Sequence, residues 1–359
     1  MRLTVLNVGY PLARVSEGTA GGAEQVLSML DQALVGAGHR SLVIAPEGSQ
    51  VRGRLLPTPA PGPQLDDEVH AVAIRHQRAA LGSALAHFSV DVVHMHGIDF
   101  LDYLPEEGPP VLVTLHLPPS WYPPAAFYLT RPNTHLVCVS HSQALECPCE
   151  AKIRAIVPNG IRLERFRPAR RKRDYAMSVG RICPEKGFHL ALDAATRSGI
   201  PLLLAGNVFG YASHQSYFDE QIRPRLVGGH RFLGEIGPIR KKRLLAEARC
   251  LLAPSLVSET SSLVVMEALA SGTPVVAFPN GALVDLIQHG RTGFLVDTVE
   301  EMVNAIQAME NIDPAVCRKE AETRFSAARM CQEYLALYGE AAADPILSRD
   351  SVKTHEAVW

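Results

Sequence analysis

Residues 250–277 read CLLAPSLVSETSSLVVMEALASGTPVVA. The apolar run at 250–253 stops at Pro254, and a second apolar run follows Pro274. Between them Ser261 or Ser262 stands where a helix N-cap belongs, and Leu263 opens a helical stretch that Gly272 closes. Strand, helix, strand in this order is one unit of a parallel sheet with a right-handed crossover. The same rhythm extends both ways. Upstream, strands are expected at 175–179, 201–205 and 230–233, with helices at 187–198, 214–222 and 238–248. Downstream come a short helix at 282–288, a strand at 293–296 and helices at 298–309, 314–324 and 326–342. An earlier series has strands at 3–8, 42–45, 91–95, 111–115, 134–139 and 153–157, with helices near 22–37 and 66–87. The proline-rich stretch at 57–63 excludes a helix or a central strand there. Two such series imply an α/β fold of two doubly wound, Rossmann-like parallel-sheet domains facing a central cleft.

The boundary falls at 162–174, where Arg165, Arg167, Arg170, Arg171, Lys172 and Arg173 stand among few apolar residues. That run reads as a solvated linker or as a patch for an anionic lipid or acceptor. The 359 residues suit two domains, and 47% hydrophobic with 20% charged residues is globular composition. A formal charge of -2 gives no support to a nucleic-acid partner. No apolar run approaches the roughly 18 to 20 residues that span a bilayer. The N-terminus shows no leader pattern, so the chain reads as cytoplasmic. The seven cysteines are irregularly spaced and read as reduced thiols, with only Cys147 and Cys149 close together.

In open α/β sheets ligands lie beyond the carboxyl ends of the strands. After the first strand, Gly18-Thr19-Ala20-Gly21-Gly22-Ala23-Glu24 places adjacent glycines at a helix start, where backbone N–H groups can approach an anion. His94, His96, His116 and His141 fall at strand ends on one edge and mark a polar cleft. His94 and His96 share a face, yet no third metal ligand stands at a telling spacing. In the second series, Arg181 and Lys186 share one strand-to-helix loop, a cation pair suited to a diphosphate. Glu259 precedes the helix of residues 262–271 and Glu267 lies within it, so a buried Glu267 needs a partner such as a hydroxyl-rich ligand. Backbone around Thr260, Ser261, Ser262 and Leu263 can cradle a phosphate.

With these pieces in order, the chain resembles the family 4 retaining glycosyltransferases of GT-B fold. The matching segments are Gly21-Gly22-Ala23-Glu24, Asp91-Val92-Val93-His94-Met95-His96 and Val113-Thr114-Leu115-His116. They continue with Val157-Pro158-Asn159-Gly160-Ile161, Val179-Gly180-Arg181, Glu185-Lys186-Gly187, the Glu259/Glu267 pair and Gly290-Arg291-Thr292-Gly293-Phe294-Leu295-Val296. The resemblance implies sugar transfer from a nucleotide-diphosphate donor, UDP favoured and GDP next, to a hydroxyl acceptor. It implies no metal or other cofactor. Arg181 and Lys186 would hold the diphosphate, Glu267 the ribose, and Glu259 the donor sugar. His116 would line the reaction centre, and the Gly21-Gly22 loop would close over diphosphate or acceptor. Residues 1–165 would bind acceptor and 166–325 donor; a helix at 326–343 would cross back to the first domain, ahead of a tail at 344–359.

Two departures stand out. Thr260-Ser261-Ser262 replaces the Gly-Phe-Gly of many relatives, which bears on donor identity, and Arg162 replaces an Asp. Trp121 and Tyr122 in the proline-bound loop after His116 are acceptor-side candidates, with His94, His96 and His141. One side of the helix at 66–87, with Val69, Val72, Ala73, His76, Ala80 and Leu81, is a candidate for peripheral contact with the inner membrane face. The alternatives are a sugar-nucleotide epimerase or a glycosyl phosphorylase on a GT-B fold, or a non-catalytic nucleotide-sugar binding protein.

Overall fold

A computed structural model describes residues 1–19, 21–62 and 66–343. The tail expected at 344–359 lies outside the described residues. The first domain runs β1 (Thr4–Val8), α1 (Gly22–Gly36), β2 (Arg40–Pro46), β3 (Arg54–Thr58), α2 (Asp67–His87), β4 (Val92–Met95), β5 (Val111–Leu115), β6 (Thr134–Cys138), α3 (His141–Glu146) and β7 (Ile153–Ile156). Its strands are all parallel, in the order β3-β2-β1-β4-β5-β6-β7. Val5, Leu6, Val8, Leu42, Val43 and Ile44 are fully buried, as in strands covered on both faces.

Two elements go beyond the sequence expectation. β3 takes in Pro57 and Thr58, and it is an edge strand, where a proline costs no ladder bond. α3 has six residues, too few to show a helical period, and starts at a cap: Ser140 Oγ accepts from Gln143 N at 3.1 Å.

The second domain runs β8 (Ala176–Val179), α4 (Phe188–Ser198), β9 (Leu202–Ala205), α5 (Ala212–Tyr217), β10 (Arg231–Phe232), α6 (Pro238–Glu247), β11 (Cys250–Ala253), α7 (Leu263–Ala270), β12 (Val275–Ala277), α8 (Leu283–Leu286), β13 (Gly293–Leu295), α9 (Val299–Gln307) and α10 (Pro314–Arg324). The parallel order is β10-β9-β8-β11-β12-β13. The expected fold class, two doubly wound parallel sheets, is the one observed. Strand order reverses between β1 and β4 in the first sheet and between β8 and β11 in the second. Those are the switch points where such sheets bind ligands.

The chain crosses between domains twice, side by side. Ile161 N donates to Phe325 O at 2.8 Å, and Ala327 N donates to Ile161 O at 2.8 Å. A Cβ at Gly160 would lie 2.5 Å from Ser326 O, so only glycine permits this approach. The last helix, α11 (Ala327–Ala343), then packs on the first domain. Met330, Tyr334 and Tyr338 share a core with Leu3, Val5, Leu30, Leu34 and Val92.

The basic linker is partly committed. Arg162 and Arg165 both pair with Glu17, at 3.1 and 2.7 Å, while Arg167, Arg170 and Arg171 are exposed. In α2, Ile74, Gln77, Leu81 and Ala84 are buried, and the helix packs on β2 and β3. Of the side singled out in the sequence, Leu81 is buried, Val69, Val72, Ala73 and Ala80 are half-buried, and His76 is exposed. Among the described residues, no helix is long and apolar enough to cross a membrane. All seven cysteines are unbridged.

Candidate active site

The loop after β8 carries the first cations. Gly187 caps α4 at φ +61, and a Cβ there would fall 2.1 Å from Pro254 O, in the neighbouring loop after β11. This contact brings the two switch-point loops together. Arg181 is half-buried, and its guanidinium makes no hydrogen bond or ion pair among the described residues. Its charge acts on Glu185 in its own loop and on Glu24 in the first domain. Burial raises the Glu24 carboxyl above its ordinary range, and the Arg181 guanidinium partly offsets that rise. Lys186 Nζ lies 2.5 Å from Glu259 Oε1. Glu267 is buried and meets Lys241 Nζ at 2.8 Å, while its Oε2 is buried without a partner.

Lys241 escapes a sequence reading. It sits in the run Arg240-Lys241-Lys242-Arg243 of α6, and nothing local shows which cation turns inward.

The loop from Thr260 to Leu263 joins the halves. Thr260 Oγ1 donates to the His116 carbonyl at 2.8 Å. Ser261 Oγ is buried without a partner, and Ser262 occupies the N-cap of α7 without a side-chain capping bond. The first-turn N–H groups of α7 thus keep their capacity to bind an anion. A Cβ on Gly22 would lie 3.7 Å from the Leu263 side chain, so the Gly21-Gly22 start of α1 faces the start of α7. Gly21 also gives α1 no side-chain cap.

The histidines divide. His116 is half-buried, and its Nε2 shares a hydrogen bond with His96 Nδ1 at 3.0 Å. Burial pushes the His116 imidazole down to about 4 and holds His94 and His96 well below the ordinary range. All three are neutral near pH 7. His94 does not fit an acceptor-side role: it is fully buried, with Nδ1 bonded to Tyr338 Oη and Nε2 to Thr114 Oγ1, both at 2.7 Å. The same bonds leave it no nitrogen for a metal.

Tyr122 is likewise buried, and its hydroxyl accepts from His116 N at 3.0 Å. It positions His116 and is not presented to an acceptor. Trp121 is 39% exposed, and His141 is exposed at the first turn of α3.

One cavity of about 420 Å³ adds residues that the sequence reading passed over. Tyr10, Asp66, Asp67, His70, Asp99 and Tyr211 line it. It lies beyond β1 and β4 and reaches the second domain through Tyr211. Asp99 is held by His70 at 2.9 Å and by the Tyr103 hydroxyl at 2.9 Å. Asp66 caps α2 and reads in sequence only as a helix start; its convergence with Asp99 on one cavity is a tertiary fact.

Residues 20–165 match the family model described as Glycosyltransferase Family 4, and residues 161–326 match that of Glycosyl transferases group 1. The chain is a glycosyltransferase of the GT-B type.

Among relatives of this glycosyltransferase is the phosphatidyl-myo-inositol mannosyltransferase of Mycobacterium tuberculosis. That protein is 25% identical over 312 residues, covering 77% of this chain and 79% of its own. The match to the Mycobacterium leprae protein of the same name is 29% identical and spans 39% of each chain. Among solved structures, AviGT4, a glycosyltransferase involved in avilamycin A biosynthesis, superposes with a TM-score of 0.69 at 24% identity. It covers 95% of this chain and 98% of its own. Anabaena HepE, solved with UDP-glucose, gives a TM-score of 0.72 at 17% identity, over 94% of this chain and 100% of its own.

Proposed function

We propose that this glycosyltransferase is a retaining, metal-independent enzyme that moves a sugar from a nucleotide-diphosphate donor to a hydroxyl acceptor. The observation that carries the reading is Arg181. It is an uncommitted cation at the switch point of the second sheet, beside Lys186 and the open N-terminus of α7. A partly buried guanidinium with no hydrogen-bonded carboxylate keeps its donor fork for an anion. Arg181, Lys186 and the amides from Thr260 to Leu263 would meet the diphosphate charge as it grows, the task a metal performs elsewhere. The UDP-glucose complex of HepE supports a UDP donor, with GDP as the runner-up.

Lys186 has three donors, and one is spent on Glu259. It can keep Glu259 oriented toward the sugar hydroxyls while a second donor meets phosphate. Lys241 engages one oxygen of Glu267 and leaves the other for a ribose hydroxyl. His116, neutral and tied to His96 and Tyr122, offers a hydrogen bond at the reaction centre and no charge.

The cavity lined by Tyr10, His70, Asp99 and Tyr211 is where a polyhydroxylated acceptor would sit. In transfer, the acceptor oxygen bonds to the anomeric carbon as the diphosphate leaves from the same face. The acceptor proton passes to a diphosphate oxygen, so no separate carboxylate base is needed. The phosphatidyl-myo-inositol substrate in the relatives' name makes a lipid-linked polyol one acceptor to try, at the inner membrane face.

The test is turnover of UDP-glucose, UDP-galactose and GDP-mannose with a panel of polyol acceptors. Arg181→Ala and Lys186→Ala should each lower turnover by more than about ten-fold. Activity should persist in chelator. Full activity in both variants would sink the diphosphate assignment.

A further inference from the structure

The donor loop carries a second set of chemistry that sugar transfer leaves unused. Cys183 Sγ, a carboxylate oxygen of Glu185 and a ring nitrogen of His214 all lie within 4.8 Å of one another. Cys183 and Glu185 belong to the loop between β8 and α4; His214 comes from α5. Cys183 is 1% exposed and His214 8%. Two atoms of this group are orphaned: His214 Nδ1 and Glu185 Oε2 are buried with no hydrogen-bond partner. The rings of Phe209 and Tyr211 stand edge-on to His214, with centroids at 6.4 and 5.1 Å, and hold its orientation. Buried polar atoms normally find partners, so two orphans converging on one buried thiol point to an unfilled ligand position.

We propose that Cys183, Glu185 and His214 bind one divalent transition-metal ion, zinc above all. One sulfur, one imidazole nitrogen and one carboxylate oxygen match the ligand types of zinc and leave a fourth tetrahedral position open. Magnesium and calcium want oxygen ligands throughout, and one cysteine cannot hold an iron–sulfur cluster. On binding, a zinc–sulfur bond forms and the thiol proton goes to solvent. Thiolate and carboxylate together balance the charge of the ion. The ion would tie α5 to the loop between β8 and α4 as a structural staple, and transfer would not depend on it. The site stands apart from the transferase reading, which needs no metal.

The full chain, stripped with chelator and dialysed against zinc sulfate, should retain one zinc per molecule. Cys183→Ser and His214→Ala should each weaken that binding by at least about ten-fold. With cobalt(II) in place of zinc, a thiolate-to-metal charge-transfer band should appear. It should vanish in Cys183→Ser and survive in Cys149→Ser, which alters an exposed thiol. Because a variant can misfold, zinc-loaded wild-type protein is also read by X-ray absorption. The expected shell has one sulfur near about 2.3 Å among nitrogen and oxygen. Failure to retain zinc, a cobalt band that persists in Cys183→Ser, or a zinc shell without sulfur would each overturn the proposal.

Discussion

Glu267 is 5% exposed and meets one cation, Lys241. Removing that partner strands a buried carboxylate. Lys241→Met should therefore lower stability by about 1–3 kcal/mol, read as a fall in urea midpoint, the lower figure because the lysine end is partly solvated. His94, His96 and His116 set a second expectation. Their folded imidazoles titrate below the ordinary range, so the unfolded chain takes up protons first as pH falls. The stability they contribute is complete above about pH 6.5 and drains as pH falls from there toward about 4. Glu24 and Asp99, raised by burial, act in the opposite sense, so the difference between variants is diagnostic. His96→Gln should flatten the pH dependence of unfolding free energy between pH 7 and 5, by up to about 1.4 kcal/mol per pH unit. An unchanged slope would mean that His96 is not part of the acid response. Residue types and their spacing singled out Lys186 and Glu259, because both stand next to strand ends. Lys241 was hidden among three other cations, and His94 misled because a strand-end position does not say which face is covered.

At the scale of elements, α11 and the loop from Gly180 to Gly187 matter most. Tyr338 Oη is the partner of His94 Nδ1 in a core with no water access. Tyr338→Phe should cost about 1–3 kcal/mol, the price of one orphaned nitrogen, measurable by denaturant unfolding. Tyr334→Ala should cost about 3–5 kcal/mol, as for other large aromatics truncated in a core. Gly187→Ala is a test of geometry. Its left-handed φ and the 2.1 Å approach to Pro254 O leave no room for a methyl group. Transfer should fall by more than about ten-fold, as for misplacement of a catalytic loop. Equal turnover would show that the loop can relax without losing the diphosphate. The long periodic helices and β-branched strands were legible as elements. β3 and α3 were not, since one is interrupted by proline and the other is too short for a period.

The two halves of the molecule meet around the cleft and touch through few polar bonds. Thr260 Oγ1 bonds the His116 carbonyl, and Ser142 donates twice to Asp285 Oδ2, at 3.1 and 2.8 Å. A donor bridging the cleft would add to these contacts and bind only the folded chain. At about one hundred times its dissociation constant, such a ligand contributes about 2.7 kcal/mol. UDP-glucose should thus raise the melting temperature by several degrees, and Arg181→Ala should abolish the rise. A larger rise with a GDP-sugar would reassign the donor, since Thr260-Ser261-Ser262 shapes that part of the loop.

The amino-acid order alone specified two parallel α/β halves, because strand and helix periods are local, and it placed the cations and carboxylates just after strands, because sheet topology puts ligands there. It could not specify which of them are paired, buried or free. The Arg181 guanidinium makes no hydrogen bond, Glu267 is paired with Lys241, and His94 is sealed under α11. Each of these depends on side chains brought together from distant parts of the chain, and packing, not spacing, determines what remains open to a ligand.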